Sequence, residues 1–283
     1  MNIHVKKYSG DSVPFQPEKL KHSLSKSEAS REEVENVFQR IQPHLYDGIS
    51  TRELYELAFD LLKAHRDSYA ARYSLKKALR DLGPEGFHFE EWIGKLFANE
   101  GYDTMTGKTV QGHAVKHEID VIAAKGDAML AIECKFRNDV DAKISVTTPM
   151  YFLSRVNDIK ALSFSFFGES RQFTDGWLVT NAYLTTDSIS FGEYYNLNLL
   201  AWDYPAHKSI KTLVDDLALY PVTCLTNLNG KEKSLLLENG CILVRDLVEN
   251  PNYLELLQAA RHQKKAILIE AQELIHSPVA EQV

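Results

Sequence analysis

The sequence predicts an α+β protein made of more than one domain. At 283 residues, the chain is long enough for two or three domains that each bury a core. Residues 85–205 alternate between strand patterns and helix patterns, which favours a mixed sheet covered by helices. The flanking segments, 1–84 and 206–283, have mainly helical spacing of their apolar residues. We therefore expect three domains with these bounds.

The composition argues against export, membrane insertion and structural zinc. The three cysteines, Cys134, Cys224 and Cys241, are far apart and form no Cys-x-x-Cys pair, so neither a zinc site nor a disulfide framework is implied. The N-terminus lacks the basic-then-apolar layout of a signal peptide, and no apolar run approaches the ~20 residues of a membrane helix. We expect a cytoplasmic protein that does not enter a membrane.

Charge is distributed unevenly along the chain, whose net charge is −7. Lys and Arg outnumber Asp and Glu by 14 to 12 in residues 1–84, but the ratio is 10 to 17 in residues 85–205 and 8 to 10 in residues 206–283. A metal site would explain part of the acidity of the middle segment. Nucleic acid bound there would have to meet local basic patches, because backbone contacts depend on Lys and Arg.

Residues 1–84 are predicted to form a short hairpin followed by a helical bundle. Strand patterns at residues 3–5 and 13–15 precede Pro17, and proline is favoured in the first turn of a helix. Ser50 and Glu53 have the spacing of a capping box at the start of another helix. A last predicted helix, residues 69–82, ends at Gly83-Pro84.

This first segment resembles the ATP-cone, a nucleotide-binding domain at the N-terminus of many ribonucleotide reductases and in a related transcriptional repressor. The resemblance implies that Lys7 and Lys19 meet the phosphates of ATP or dATP, and that Thr51 and Tyr55 line the nucleotide site. The matching residues are Val5-Lys6-Lys7, Gly10, Val13-Pro14-Phe15, Lys19-Leu20, Ser23-Leu24, Gly48-Ile49-Ser50-Thr51, Leu54 and Ala71-Arg72-Tyr73-Ser74-Leu75.

The family usually has Lys-Arg-x-Gly where this chain has Lys7-Tyr8-Ser9-Gly10, a difference that bears on phosphate affinity or on the choice between ATP and dATP. No Walker sequence occurs, so we expect the nucleotide to bind as a regulatory signal and not to be hydrolysed. The alternative is that Lys7 and Lys19 are ordinary solvated surface lysines.

A predicted hairpin lies at the centre of the middle segment. Its strands cover residues 115–123 and 128–136, and they meet at a turn that contains Gly126. Alternation places Cys134 on the face opposite its two neighbours, where we expect it to pack in the core.

Charged residues interrupt both strands of this hairpin. Asp120 lies on the first strand, and Glu133 and Lys135 project from one face of the second. Because burying an unpaired charge is costly, such residues need partners or a metal ion. Converging carboxylates suit Mg²⁺, and a nearby lysine is able to orient a water molecule or stabilise charge on a phosphate.

The spacing of these residues resembles the D…E-x-K signature of the PD-(D/E)XK nucleases, in particular their Mrr-type restriction-endonuclease-like branch. That branch also has a Phe-Glu helix followed by Gly-Tyr, which is similar to Phe89-Glu90 and Gly101-Tyr102 here. The resemblance implies a restriction-endonuclease-like αβββαβ core with a mixed sheet. It also implies that Mg²⁺ or Mn²⁺ is held by three carboxylates and assisted by a lysine, at Glu90 (with Glu91 as second choice), Asp120, Glu133 and Lys135. The alternative is a solvated strand face on which the Glu-x-Lys pair has no chemical role.

The remaining pattern of the middle segment completes the predicted core. Strands are expected at residues 102–112, 176–184 and 199–203, and helices at residues 149–167 and 187–195. Several polar residues are candidates for contact with substrate or for structural roles: Gln111, Gly112, Lys116, Arg137, Lys143, Arg155, Thr180 and Asn181.

Residues 206–283 are predicted to be helical. Short helices with Gly-containing turns at Asn229-Gly230 and Asn239-Gly240 are similar to a helix-hairpin-helix module, which binds duplex backbone. A small packing or dimerisation domain explains the pattern equally well. We expect a long final helix over residues 253–275.

Two functional hypotheses follow from these features. The first is a Mg²⁺-dependent endonuclease acting on DNA, regulated by ATP or dATP, with a restriction or defence role and a homodimeric or higher assembly. The second is a catalytically inactive, nucleotide-responsive protein that binds nucleic acid or regulates assembly. A reductase-associated regulator is a third hypothesis, which rests on the first segment alone.

Overall fold

The structure is a computed structural model that describes residues 3–8, 10–83 and 86–276. The chain divides into two compact units. The first unit combines residues 1–79 with residues 218–283, and the second consists of residues 80–217. The first unit is therefore assembled from both ends of the chain, and the second is continuous in sequence. Whether each of the three predicted segments folds alone stays a prediction.

The N-terminal part of the first unit places a small sheet beside helices. The strands are β1 (His4–Lys6), β2 (Ser12–Pro14) and β3 (Ile49–Ser50), and the helices are α1 (Pro17–Ser25), α2 (Arg31–Ile41), α3 (Thr51–His65), α4 (Asp67–Tyr73) and α5 (Leu75–Arg80). A 3-10 turn, Gln42–His44, follows α2. The sheet order is β2-β1-β3, with β1 antiparallel to β2 and parallel to β3.

Local signals account for most of these elements. Pro17 begins α1, and Ser50 caps α3 through the reciprocal bonds with Glu53 that define a capping box. The expected single helix over residues 69–82 is divided at Ser74, whose hydroxyl donates to the Ala71 carbonyl at 2.9 Å and competes with the helical pattern. Pro84, the predicted helix stop, lies outside the described residues.

The second unit is built on a five-stranded mixed sheet, as expected. Its helices are α6 (Phe87–Asn99), α7 (Thr147–Ile159), α8 (Thr186–Tyr194) and α9 (Ile210–Leu217). The sheet order is β12-β10-β6-β5-β4, antiparallel from β4 to β6 and parallel from β6 to β12. These strands are β4 (Asp103–Gln111), β5 (Lys116–Lys125), β6 (Ala128–Cys134), β10 (Asp175–Val179) and β12 (Asn198–Leu200). Two smaller sheets pair β7 (Lys143–Ile144) with β11 (Tyr183–Leu184), and β8 (Ser163–Phe166) with β9 (Glu169–Gln172).

The structure corrects two expectations in this unit. The helix predicted over residues 149–167 ends at Ile159, and the β8–β9 hairpin follows it. Phe164 and Phe166 alternate with serines along β8 and are half-buried beside the sheet, so a period of two replaces the helical period there. The strand predicted over residues 176–184 is divided, because β11 leaves the main sheet to pair with β7.

The C-terminal residues of the first unit are helical and pack against its N-terminal part. They contain 3-10 turns at Val222–Cys224 and Pro251–Leu256 and the helices α10 (Gly230–Glu238), α11 (Val244–Glu249) and α12 (Arg261–Ile275). Thr223 donates to the Ala78 carbonyl at 2.7 Å, and Asn227 donates to Asp67 at 2.8 Å. Residues 218–276 are thus hydrogen-bonded to the N-terminal part of the first unit.

The prediction of one long helix over residues 253–275 is wrong. Ala260 has an extended conformation (φ −65°, ψ 153°), so α12 begins at Arg261. This break allows Leu257 and Ile267 both to be buried, which shows tertiary packing overriding helix propensity. In the described part of the chain, the helices are all too short or too polar to cross a bilayer.

Candidate active site

The candidate site lies where β5 and β6 stop pairing. The last pair of their ladder is Val121 and Ile132, so Asp120 and Glu133 are the first residues beyond it. The Asp120 carboxylate replaces the missing ladder bond by accepting the backbone N–H of Cys134 at 2.7 Å. Strand β6 continues along β10, which keeps residues 133 and 134 in the sheet. The hairpin therefore opens at the two carboxylates that the sequence pattern singled out.

Helix α6 brings a third carboxylate to this opening. Gly86 precedes the helix with a left-handed backbone (φ +86°), and Glu90 lies in the first turn. A Cβ atom at Gly86 would be 3.1 Å from the Cβ of Phe136, so glycine permits the close approach of α6 to the end of the hairpin. Glu91, the second-choice candidate, instead accepts from His88 Nδ1 at 2.9 Å.

A cleft of about 510 Å³ is lined by most of the predicted catalytic residues. Glu90, Asp120 and Lys135 line it together. The remaining lining residues are Gly86, Cys134, Phe136, Arg137, Asn138 and Asp139. Cys134 was expected to pack away from the site; it is buried, at 8% exposure, but borders the cleft because its backbone bonds Asp120.

The two carboxylates in the cleft have raised pKa values. Burial, followed by repulsion from Asp120, raises the pKa of Glu90 to about 7. Burial, followed by repulsion from Glu133, raises the pKa of Asp120 to about 6. Close carboxylates that resist ionisation in this way are stabilised by a cation placed between them. Their oxygen atoms are the donors that Mg²⁺ or Mn²⁺ prefers, so Glu90 and Asp120 fit a divalent cation.

Glu133 is in a different environment. It is 2% exposed, and each of its carboxylate oxygens contacts a cation, Lys135 on Oε1 and Arg155 on Oε2. Within residues 3–8, 10–83 and 86–276, no group of three His, Cys, Asp or Glu side chains is arranged to hold a metal ion. The structure thus brings Glu90 and Asp120 together as lining residues of the cleft, whereas Glu133 is buried and paired with cations. A metal role for Glu133 stays a prediction.

Thr180 and Asn181 fix the backbone that carries Lys135. The Thr180 hydroxyl donates to the Lys135 carbonyl, and the Asn181 amide both accepts from the Arg137 N–H and donates to the Arg137 carbonyl, at 2.8 Å each. Both side chains are buried. Thr180 and Asn181 therefore hold the chain that follows β6 in place. Of the two roles expected for them, contact with substrate or a structural role, these bonds are structural.

Gln111, Gly112 and Lys116 lie at the β4–β5 turn and are not among the cleft-lining residues. Asp158 holds this turn, accepting from the Ala114 backbone at 2.9 Å and contacting His117 Nε2 at 2.7 Å. Sequence reasoning missed the cleft residues Asn138 and Asp139. The signal was available, because they follow the Glu-x-Lys strand directly as a polar run.

Family comparisons agree with this geometry. An ATP cone domain model matches residues 3–82, and a restriction endonuclease model of the Mrr catalytic type matches residues 83–206. The chain joins an ATP-cone domain to a restriction endonuclease domain. A third model, described as AF1548-like, C-terminal, matches residues 220–275.

Two relatives extend over the greater part of the chain. An uncharacterized protein of Archaeoglobus fulgidus is 27% identical over 184 residues, which are 65% of this chain and 99% of the relative. The crystal structure of a protein of unknown function, AF1548, is 25% identical with a TM-score of 0.55, covering 67% of this chain and 97% of that one. These similarities concern the fold and assign no reaction.

In the ATP-cone domain, the predicted nucleotide residues are partly brought together. Lys6 pairs with Ser50 across the parallel strands β1 and β3. The next residues, Lys7 and Thr51, therefore follow the two strands at the same end of the sheet. Thr51 begins α3, and helix N-termini attract phosphate. Lys7 and Thr51 are exposed.

The other two predicted nucleotide residues are placed differently. Lys19 lies in the first turn of α1, which follows β2, and β2 ends beside the opposite end of β1. Tyr55 is half-buried and stacks on Tyr73, with ring centroids 5.3 Å apart. The binding role of Lys7, Lys19, Thr51 and Tyr55 stays a prediction, and Ser9 lies outside the described residues.

Proposed function

We propose that the protein is an endonuclease that hydrolyses phosphodiester bonds in DNA with the help of Mg²⁺ or Mn²⁺. The observation that carries this proposal is the cleft of the restriction endonuclease domain, in which Glu90, Asp120 and Lys135 face one space. Glu90 and Asp120 would hold the metal ion, and Glu133 is the third proposed ligand. When bound, such an ion supplies Lewis acidity and lowers the pKa of a coordinated water molecule.

The other groups of the cleft have roles that follow from their charge. Lys135, fixed by its contact with Glu133, orients the attacking water molecule or stabilises negative charge on the scissile phosphate. Arg137 lines the same cleft and offers a guanidinium to a neighbouring phosphate. Lys135 and Arg137 form a local basic pair within the acidic middle segment, and such a pair is suited to contact the phosphate backbone.

Regulation by ATP or dATP at the ATP-cone domain is part of the same proposal. Lys7, Lys19, Thr51 and Tyr55 would form the nucleotide site. A restriction or defence role, in a cytoplasmic homodimer or larger assembly, is motivated by the pairing of the two domains and by the need for two active sites to cut both strands.

A second function is favoured by one specific observation. Both carboxylate oxygens of Glu133 contact cations. A domain that kept this arrangement permanently would bind nucleic acid without cutting it, as a nucleotide-responsive regulatory protein.

The deciding experiment is cleavage of supercoiled, linear and methylated DNA with Mg²⁺ or EDTA, with and without ATP. Lys135→Ala is compared with Lys108→Ala, which removes an exposed lysine of β4 outside the cleft. We expect metal-dependent cutting by the wild type and Lys108→Ala, and a loss of at least about 100-fold in Lys135→Ala. An absence of cutting on every substrate, with ATP binding intact, would favour the regulatory protein.

A further inference from the structure

Arg155 is one of two cationic side chains that contact the Glu133 carboxylate. It lies on α7, and its side chain is only 12% exposed. One terminal nitrogen of its guanidinium contacts Glu133 Oε2, and the other contacts the backbone carbonyl of Glu118. Because Lys135 contacts Oε1, each oxygen of Glu133 has a cationic partner.

This arrangement has a direct consequence for a metal ion. A hard divalent cation binds through oxygen lone pairs, and two cationic side chains compete for those of Glu133. Glu90 and Asp120 line the cleft instead, where the charge of Lys135 acts on both carboxylates and Asp120 also accepts the backbone N–H of Cys134. The site therefore has two carboxylates that line the cleft and one that is buried against two cations.

We propose that Arg155 is a latch on Glu133, and that the guanidinium must leave Glu133 before this carboxylate joins Glu90 and Asp120 around a metal ion. The inference rests on the proposed function and adds its regulation. A phosphate group is the anion suited to receive the released guanidinium, since Arg binds phosphate bidentately. Metal ion and nucleic acid then bind cooperatively, because each favours the same displacement of Arg155.

The surroundings of Arg155 fit a side chain that reaches substrate. Tyr151 precedes it by one helical turn on α7, so the two residues share a helix face. Tyr151 is 64% exposed, and its ring centroid is 5.9 Å from the guanidinium carbon. The latch thus lies next to open solvent, where a nucleic-acid backbone is able to approach.

The test measures Mn²⁺ binding to the metal-free full-length protein by titration calorimetry, without nucleic acid. Arg155→Met removes the charge and keeps the apolar length of the side chain. Ser154→Ala, on the exposed side of the same helix, is the matched control. We expect Arg155→Met to bind Mn²⁺ about 5-fold to 50-fold more tightly than the wild type, within the usual range of such couplings, and Ser154→Ala to bind like the wild type.

The same titration with a short duplex added distinguishes a latch from a general effect of removing one positive charge. The duplex should tighten Mn²⁺ binding to the wild type and leave Arg155→Met nearly unchanged. Equal or weaker Mn²⁺ binding by a folded Arg155→Met would overturn the latch and leave the proposed nuclease standing. A lack of Mn²⁺ binding by every variant would overturn both. Circular dichroism and thermal unfolding establish that each variant is folded.

Discussion

At the scale of single residues, the site is defined by carboxylates that are costly to ionise. Burial and a nearby carboxylate, Asp120 for Glu90 and Glu133 for Asp120, raise the pKa of Glu90 to about 7 and the pKa of Asp120 to about 6. An unfolded chain ionises both groups near pH 4. Their ionisation therefore destabilises the metal-free folded state progressively as the pH rises from about 4 to about 7.

Replacement of Glu90 by Gln should relieve this penalty. Below pH 4 the carboxyl is protonated in both states and contributes no difference, so the variant gains stability over the wild type only as the pH rises toward 8. We expect a gain on the order of 1 kcal/mol at pH 8 after allowance for solvent screening. Urea unfolding in EDTA at pH 4, 6 and 8 measures it, and a gain that is equal at all three values would contradict the assignment.

At the scale of secondary-structure elements, the approach of α6 to the hairpin depends on Gly86. Its backbone is left-handed, and the missing side chain makes room for Phe136. Glu90, in the first turn of α6, lines the same cleft as Cys134, the last residue of β6.

Gly86→Ala should lower the free energy of unfolding by about 2 kcal/mol, through the positive φ and the contact with Phe136. Gly107→Ala separates these two causes, since Gly107 also has a positive φ (+61°) but no heavy atom within 4 Å of an added Cβ. We expect about 1 kcal/mol for this control, measured by urea unfolding. Equal losses in the two variants would mean that the approach of Phe136 contributes nothing.

Elements with strong local signals were predicted from sequence, and those governed by packing were not. The Ser50–Glu53 capping box and the Gly126 turn depend on nearby residues, so α3 and the β5–β6 hairpin follow from the sequence. The breaks before β8 and before α12 depend on which apolar side chains the rest of the unit buries, and the local pattern does not carry that information.

The same difference between local sequence patterns and long-range packing applies to the candidate active site. Glu90, Asp120, Glu133 and Lys135 were predicted through their resemblance to a family pattern, and the structure places Glu90, Asp120 and Lys135 in one cleft while their catalytic roles stay predictions. The contact between Arg155 and Glu133 joins residues 22 positions apart on a helix and a strand, and only the fold brings them together.

At the scale of the whole molecule, one buried arginine joins the two ends of the chain within the first unit. Arg72 is 6% exposed and forms an ion pair with Glu28. Its guanidinium also donates to the Tyr220 hydroxyl at 3.2 Å and to the Leu274 carbonyl at 2.8 Å. The ATP-cone domain and residues 218–276 therefore share a buried polar network.

Arg72→Met should destabilise the first unit by about 2 to 4 kcal/mol, because it leaves the Glu28 carboxylate and the Leu274 carbonyl without this donor. Hydrogen exchange should show faster exchange both in α4 and in α12, and unchanged exchange in β5 and β6. Arg52→Met, which removes an exposed ion pair of α3, serves as the control and should have little effect. Acceleration limited to α4 would contradict the shared network.

Nucleotide binding gives a second prediction at this scale, which depends on the proposed site at Lys7 and Thr51. ATP should slow hydrogen exchange in α3 and also in α10 to α12, since ligand binding stabilises a cooperative unit as a whole. Protection confined to residues 3–82 would mean that residues 218–276 respond independently.

The division of the first unit between both chain ends also determines the order in which the protein matures during synthesis. Domains fold as units while the chain emerges from the ribosome, N-terminal parts first. Residues 80–217 are continuous, so this whole unit has been made once residue 217 is added, whereas Arg72 waits for Tyr220 and Leu274. The restriction endonuclease domain is thus complete before the unit that contains the ATP-cone, and for that interval the nascent chain carries a finished cleft whose proposed nucleotide control has not yet been assembled.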